Sequence, residues 1–168
     1  MSTNFRPSKP IHYARQDIND EDIDAVIKVL KSDFLTQGPT IANFENKIKE
    51  FVCSEHAIAT SSATSALHIA CLALGLGPGD ILWTSPNSFV ASTNCALYCG
   101  ATVDFVEIDI NTYNISIDHL KAKLIEAEKN GVLPKVLIPV HFAGQSCDML
   151  EIKKLSKQYG FKIIEDGS

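Results

Sequence analysis

From residue 57 onward the sequence alternates short apolar runs with stretches of helical length, and this rhythm narrows the possible folds more than any other feature. The runs fall at 57–60, 81–84, 102–106, 135–140 and 161–165, and the helical stretches between them at 65–74, 89–98, 117–129 and 149–158. Strands that alternate with helices predict a layered α/β domain with a largely parallel sheet. The stretch from Ala66 to Leu74 is apolar nearly all round, so a helix there is expected to be covered on more than one side, within an assembly larger than this chain.

The first 56 residues read differently. After a polar arm, Asn19 or Asp20 can cap a helix whose Ile23, Val26, Ile27 and Leu30 recur at i, i+3, i+4 and i+7. Gly38-Pro39 interrupts the pattern, and a second helix begins near Thr40 with Ile41, Phe44, Ile48, Phe51 and Val52 on one face. The expected organisation is therefore an arm with two helices over 1–56 and a partial large α/β domain over 57–168. With 168 residues, 45% of them hydrophobic and 21% charged, the chain can bury a core, which excludes a disordered or low-complexity protein. Its net charge of −5 divides into −3 and −2 between the two halves, so neither half is built to bind nucleic acid by charge.

Cys53, Cys71, Cys95, Cys99 and Cys147 are odd in number, lack a CxxC spacing and mostly lie in apolar stretches. They read as buried free thiols of a reducing, cytoplasmic compartment, with no metal site. The polar start has no apolar core of a signal peptide, and no segment has the length of a membrane span. Asn114-Ile115-Ser116 matches a glycosylation triplet, but nothing else points to secretion.

Ligands of parallel α/β sheets bind at the carboxyl ends of the strands, so the residues after each expected strand form one group. They are polar: Ser61 to Ser65, Ser85 to Phe89, His141 to Gln145, and Asp166 to Ser168. Ser62, Ala63 and Thr64 open a helix, where free N–H groups and hydroxyls can cup a phosphate or simply cap the helix. Gly75-Leu76-Gly77-Pro78-Gly79 follows a helix instead of a strand and reads as a helix stop. Phe89, early in its helix, could stack on a planar ring or sit in the core. Asp166, at the rim after the last strand, needs a cationic or N–H partner there, or else caps a turn. His141 reads as a hydrogen-bonded structural histidine.

In this order, these segments resemble the DegT/StrS nucleotide-sugar aminotransferases of the fold type I pyridoxal-phosphate class. The pieces that carry the resemblance are Leu35-Thr36-Gln37-Gly38-Pro39 with Phe44-Glu45, Ser61 to His68, Gly77-Pro78-Gly79-Asp80, Pro86 to Ser92, His141 to Gln145 and Ile164 to Ser168. The resemblance implies the N-terminal part of a three-layer α/β/α large domain, binding pyridoxal 5'-phosphate. The backbone of Ala63 and Thr64, beside Ser62, would hold the cofactor phosphate, Phe89 would stack on the ring, and Asp166 would pair with the ring nitrogen. Within the family the sequence is similar to the subgroup of pseudaminic acid biosynthesis. That subgroup aminates C4 of a UDP-linked 4-keto-6-deoxy-N-acetyl-hexosamine with glutamate as donor. Tyr13, Asp33, Phe34, Leu35, Thr36 and Ala63 match its substrate contacts, and a homodimer is implied. The family's Schiff-base lysine lies downstream of the position of Asp166, so the resemblance implies a truncated chain without the catalytic lysine; the alternative is a noncatalytic fragment that binds a nucleotide sugar or a partner.

Overall fold

The computed structural model describes His12 and residues 15–168, among which there are six helices and four strands. Two compact units divide the chain, Met1–Ala59 and Thr60–Ser168.

The first unit contains α1 (Asp20–Leu30) and α2 (Pro39–Phe51). Asn19 caps α1 in a reciprocal box: its side chain accepts the Glu21 and Asp22 N–H groups, and the Asp22 carboxylate accepts its own N–H at 2.9 Å. Pro39 opens α2, where its missing N–H costs nothing. Gly38 is required just before it, because a Cβ there would stand 2.8 Å from the Cβ of Phe34. The apolar stripes of both helices, among them Ile23, Val26, Ile41 and Phe44, are exposed. The exposed turn after α2 carries Cys53 at φ +52°, so the expectation that the cysteines are buried fails for this one.

The second unit holds β1 (Ile81–Thr84), β2 (Thr102–Phe105), β3 (Val136–Ile138) and β4 (Lys162–Ile163) in one sheet of order β2-β1-β3-β4. Every pairing is parallel, with Leu82 opposite Val103 and Val136 in register. Alternation along the strands builds two cores. Leu82, Val136 and Ile138 face α3 (Ala63–Ala73) and α4 (Ala91–Tyr98), while Trp83 and Leu137 face α5 (Ile117–Asn130) and α6 (Met149–Tyr159). The result is the three-layer α/β/α architecture.

Two expectations change, for residues 57–60 and for Phe89. Residues 57–60 pair with no strand among the described residues, since an extended stretch becomes a strand only beside a partner and this one has none. Within this chain α4 and the sheet cover one face of α3, burying Leu67 and Cys71 and leaving Ile69 and Leu72 exposed. Phe89 precedes α4 instead of lying within it.

Gly75, at φ +69°, ends α3, and the Leu76 N–H returns to the Cys71 carbonyl at 3.0 Å, as the helix-stop reading requires. The turn that follows is tied to β3 by Asp80, whose carboxylate accepts the Gly77 N–H at 2.9 Å and the Lys135 ammonium at 2.7 Å. The Lys135 hydrogen bond, helped by the Gly77 N–H, holds the Asp80 carboxyl below its ordinary value of 3.8. Its stabilisation is therefore complete above pH 3.8 and lost as pH falls through the lower folded value. Thermal unfolding followed into the acid range will show a falling limb below pH 3.8 that Asp80→Asn makes shallower.

Candidate functional site

The order β2-β1-β3-β4 contains a reversal: the connection after β1 leads to one side, through α4 to β2, and that after β3 to the other, through α6 to β4. A crevice opens outside the carboxyl ends of two strands whose connections diverge in this way, so ligands of such sheets bind there. The segments after β1, β3 and β4, which carry Phe89, His141 and Asp166, reach this rim, whereas Ser62, Ala63 and Thr64 open α3 ahead of β1.

Ser62 is the N-cap of α3, and its hydroxyl accepts the Ser65 N–H at 3.2 Å. Ser61 and Ser62 both reach the Ser65 hydroxyl, at 3.2 and 3.0 Å. The N–H groups of Ala63 and Thr64 have no acceptor among the described residues, so the helix end keeps two donors open in addition to its dipole. Capping and an anion cup are thus compatible here: Ser62 serves the first without consuming the donors of the second.

Phe89 is 74% exposed and belongs to neither apolar core of this chain. Its carbonyl accepts the Ser92 N–H at 3.1 Å, the bond that closes the turn into α4. Upstream, the hydroxyl of buried Ser85 and the Oδ1 atom of Asn87 have no partner among the described residues, while Asn87 Nδ2 donates to the Tyr113 carbonyl at 2.8 Å. Orphaned polar atoms on the β1–α4 turn fit a bound polar molecule on this rim.

Asp166 is 6% exposed and continues the sheet past β4: its N–H donates to the Pro139 carbonyl and its own carbonyl accepts the His141 N–H. Pro139 offers no N–H, which is why β3 stops at Ile138 and only an isolated bridge joins Val140 to Asp166. The buried carboxylate accepts the Ser92 hydroxyl at Oδ2 (2.7 Å) and the Ser168 N–H and hydroxyl at Oδ1 (3.1 and 2.6 Å). Neutral donors hold it, and no cationic side chain pairs with it among the described residues. A carboxylate kept dry in this way is ready to receive a cationic N–H.

His141 is the structural histidine expected: Nδ1 accepts the Cys147 N–H at 3.2 Å and Nε2 lies 3.2 Å from Glu165. Two residues of this region carry roles that sequence reasoning missed. Ser92 reaches Asp166 from an element 74 residues away, which only the fold can reveal. Asn114, part of the glycosylation triplet, is buried and pins two loops, accepting the Phe142 N–H and donating to the Gln145 and Ser146 carbonyls. The Cys71 thiol is pushed up by its hydrogen bond with Cys95 and by burial, and Cys147 by burial, so both stay protonated and inert.

Asp33, Phe34, Leu35 and Thr36 form an exposed loop of the first unit. Tyr13 lies outside the described residues.

A model of the DegT/DnrJ/EryC1/StrS aminotransferase family matches residues 16–168. The chain belongs to this family. Among curated relatives of the family, a UDP-4-amino-4,6-dideoxy-N-acetyl-beta-L-altrosamine transaminase of Campylobacter jejuni is 41% identical over 93% of the chain and 40% of its own length. The spore coat polysaccharide biosynthesis protein SpsC of Bacillus subtilis is 39% identical over 90% of the chain and 37% of its own length. Helicobacter pylori PseC, a solved aminotransferase involved in pseudoaminic acid biosynthesis, superposes with a TM-score of 0.85 at 34% identity, over 95% of the chain and 42% of its own. A putative sugar aminotransferase of Streptococcus pneumoniae, Spr1654, solved in its PLP form, superposes with a TM-score of 0.82 at 25% identity over 94% of the chain and 42% of its own. The chain thus spans about two-fifths of the length of the family members it matches.

Proposed function

We propose that this chain is the cofactor-holding N-terminal part of a pyridoxal 5'-phosphate aminotransferase that aminates C4 of a UDP-linked 4-keto-6-deoxy-N-acetyl-hexosamine, with glutamate as amino donor. The observation that carries the reading is Asp166, a buried carboxylate on the rim held by hydroxyl and N–H donors alone. Family membership supports the reaction type, and relatives named altrosamine transaminases support the sugar class.

Pyridoxal phosphate, when bound, supplies an electron-withdrawing ring whose power depends on a protonated ring nitrogen. The residues of the chain divide the work of holding it. The open Ala63 and Thr64 N–H groups and the Ser62 turn would receive the phosphate, Phe89 would stack on the ring, and Asp166 would keep the ring nitrogen protonated. Tyr13, Asp33, Phe34, Leu35 and Thr36, with Ala63, are assigned contacts with the nucleotide sugar. The functional assembly is a homodimer in the cytoplasm, where the free thiols stay reduced. The lysine that carries the cofactor covalently is not assigned to any lysine of this sequence, so binding of the amine form, which needs no covalent link, is the appropriate assay.

Equilibrium titration with pyridoxamine 5'-phosphate tests the reading. Saturable binding that is lost when the phosphate is removed from the ligand is expected. Binding of UDP with no binding of pyridoxamine phosphate would overturn it in favour of a noncatalytic nucleotide-sugar module. Phe89→Ala will weaken pyridoxamine phosphate binding roughly three- to tenfold, the worth of one aromatic stack. Because Phe89 is exposed, its thermal midpoint will stay near that of the wild type; a large fall would return Phe89 to a structural role.

A further inference from the structure

We infer that Ser92 is a positioning residue that fixes the two protein groups gripping the cofactor ring. This rests on the pyridoxal-phosphate reading above and deepens it. Ser92 lies on the first turn of α4 with no exposed surface, and both of its donors are committed to the site. Its N–H holds the carbonyl of Phe89 at 3.1 Å, and its hydroxyl holds Asp166 Oδ2 at 2.7 Å. One residue thus ties the two together, its backbone N–H holding the turn at Phe89 and its side chain the acidic residue, although they are 77 positions apart in sequence.

The acceptor count of Asp166 sharpens the assignment. An ionised carboxylate offers about two acceptor positions on each oxygen. Oδ1 is filled by the Ser168 N–H and hydroxyl, whereas among the described residues Oδ2 receives only Ser92. The open position is therefore on Oδ2, the oxygen that Ser92 holds, and that is where a ring N–H is received. A hydroxyl on the same oxygen orients its remaining lone pair and restrains the carboxylate from turning away. Ser92 touches neither phosphate nor substrate in this scheme, so the effect of its side chain is carried through Asp166, while its backbone N–H keeps the Phe89 turn in every variant. Cys95, one turn further along α4, donates to the Ser92 carbonyl at 3.4 Å and anchors the turn from the core side.

The test binds pyridoxamine 5'-phosphate labelled with 15N in the ring to the full chain and to Ser92→Ala, Ser92→Cys and Asp166→Asn. The readouts are the dissociation constant, the 15N shift of the ring nitrogen, and circular dichroism with thermal unfolding. Ser92→Ala is expected to keep the fold, weaken binding about tenfold and move the ring nitrogen toward its unprotonated shift, as loss of one hydrogen bond to a charged group implies. Ser92→Cys, nearly isosteric and a weak donor, will fall between the two and decides the matter if the alanine variant does not fold. Wild-type affinity and a wild-type nitrogen shift in the folded Ser92 variants would overturn the inference. If Asp166→Asn loses both signals and the Ser92 variants lose neither, Ser92 alone has been misjudged. If Asp166→Asn also keeps both, or the wild type does not bind, the pyridoxal-phosphate reading itself fails.

Discussion

Asp166→Asn will weaken pyridoxamine 5'-phosphate binding roughly 10²- to 10³-fold while leaving the fold intact. The size follows from removing one member of a buried charge pair, about 3–5 kcal/mol. The direction follows from the donors already in place. The Ser168 N–H cannot reverse, so the asparagine carbonyl must occupy the Oδ1 position to accept it, and the amide nitrogen then occupies the Oδ2 position. The Ser92 hydroxyl can rotate to accept from that nitrogen, which keeps the site satisfied and the protein folded. A cationic ring N–H, however, would then face another N–H donor. Calorimetric titration of both forms reads the difference directly, and binding within about threefold of the wild type would remove Asp166 from the role assigned to it.

The second large effect concerns stability. Trp83→Ala will cost about 3–5 kcal/mol, a substantial share of the roughly 5–15 kcal/mol that a domain possesses. Trp83 is 2% exposed in the central strand β1 and fills the core beneath α5 and α6 with Leu120, Leu124, Ile152 and Phe161. The Lys123 ammonium, 4.9 Å from the ring centroid, loses its cation–π partner as well. Urea unfolding measures the loss, and a change under about 1 kcal/mol would show that the core on this face is looser than its burial indicates. Set beside Phe89→Ala, the pair separates an aromatic residue within β1, expected to carry stability, from one after it, proposed to carry ligand.

Much of this was legible in the sequence because the signals were local. Leu82 and Trp83 alternate within a run bounded by Asp80 and Ser85, and Gly75 and Gly131 stand where helices end, so β1, α3 and α5 could be placed by period and punctuation. Residues 57–60 looked equally like a strand, yet strand formation is a property of two segments and no partner lies beside them. The apolar character of α3 was equally plain, though composition reports that a face is apolar and not what packs on it; within this chain α4 and the sheet cover one face. Site residues behaved in the same way. Ser62, Ala63 and Thr64 stood out because a capped helix start is written in consecutive residues, and Asp166 because it follows an apolar run. Ser92 and Asn114 did not, since each works through a partner some 30 to 70 residues away.

The central claim is that the rim formed by α3 and Asp166 is a pyridoxal-phosphate site, and amide-resolved NMR of the chain during titration with pyridoxamine 5'-phosphate tests it most directly. The account predicts that the Ala63 and Thr64 amides shift most with the phosphorylated ligand and return with unphosphorylated pyridoxamine, and that Ser168, bonded to Asp166 through its amide, shifts with both. Perturbation centred instead on the cavity beside Ile81, Asp104, Lys123 and Asn130, toward the amino end of β1, would contradict it, as would no perturbation at all.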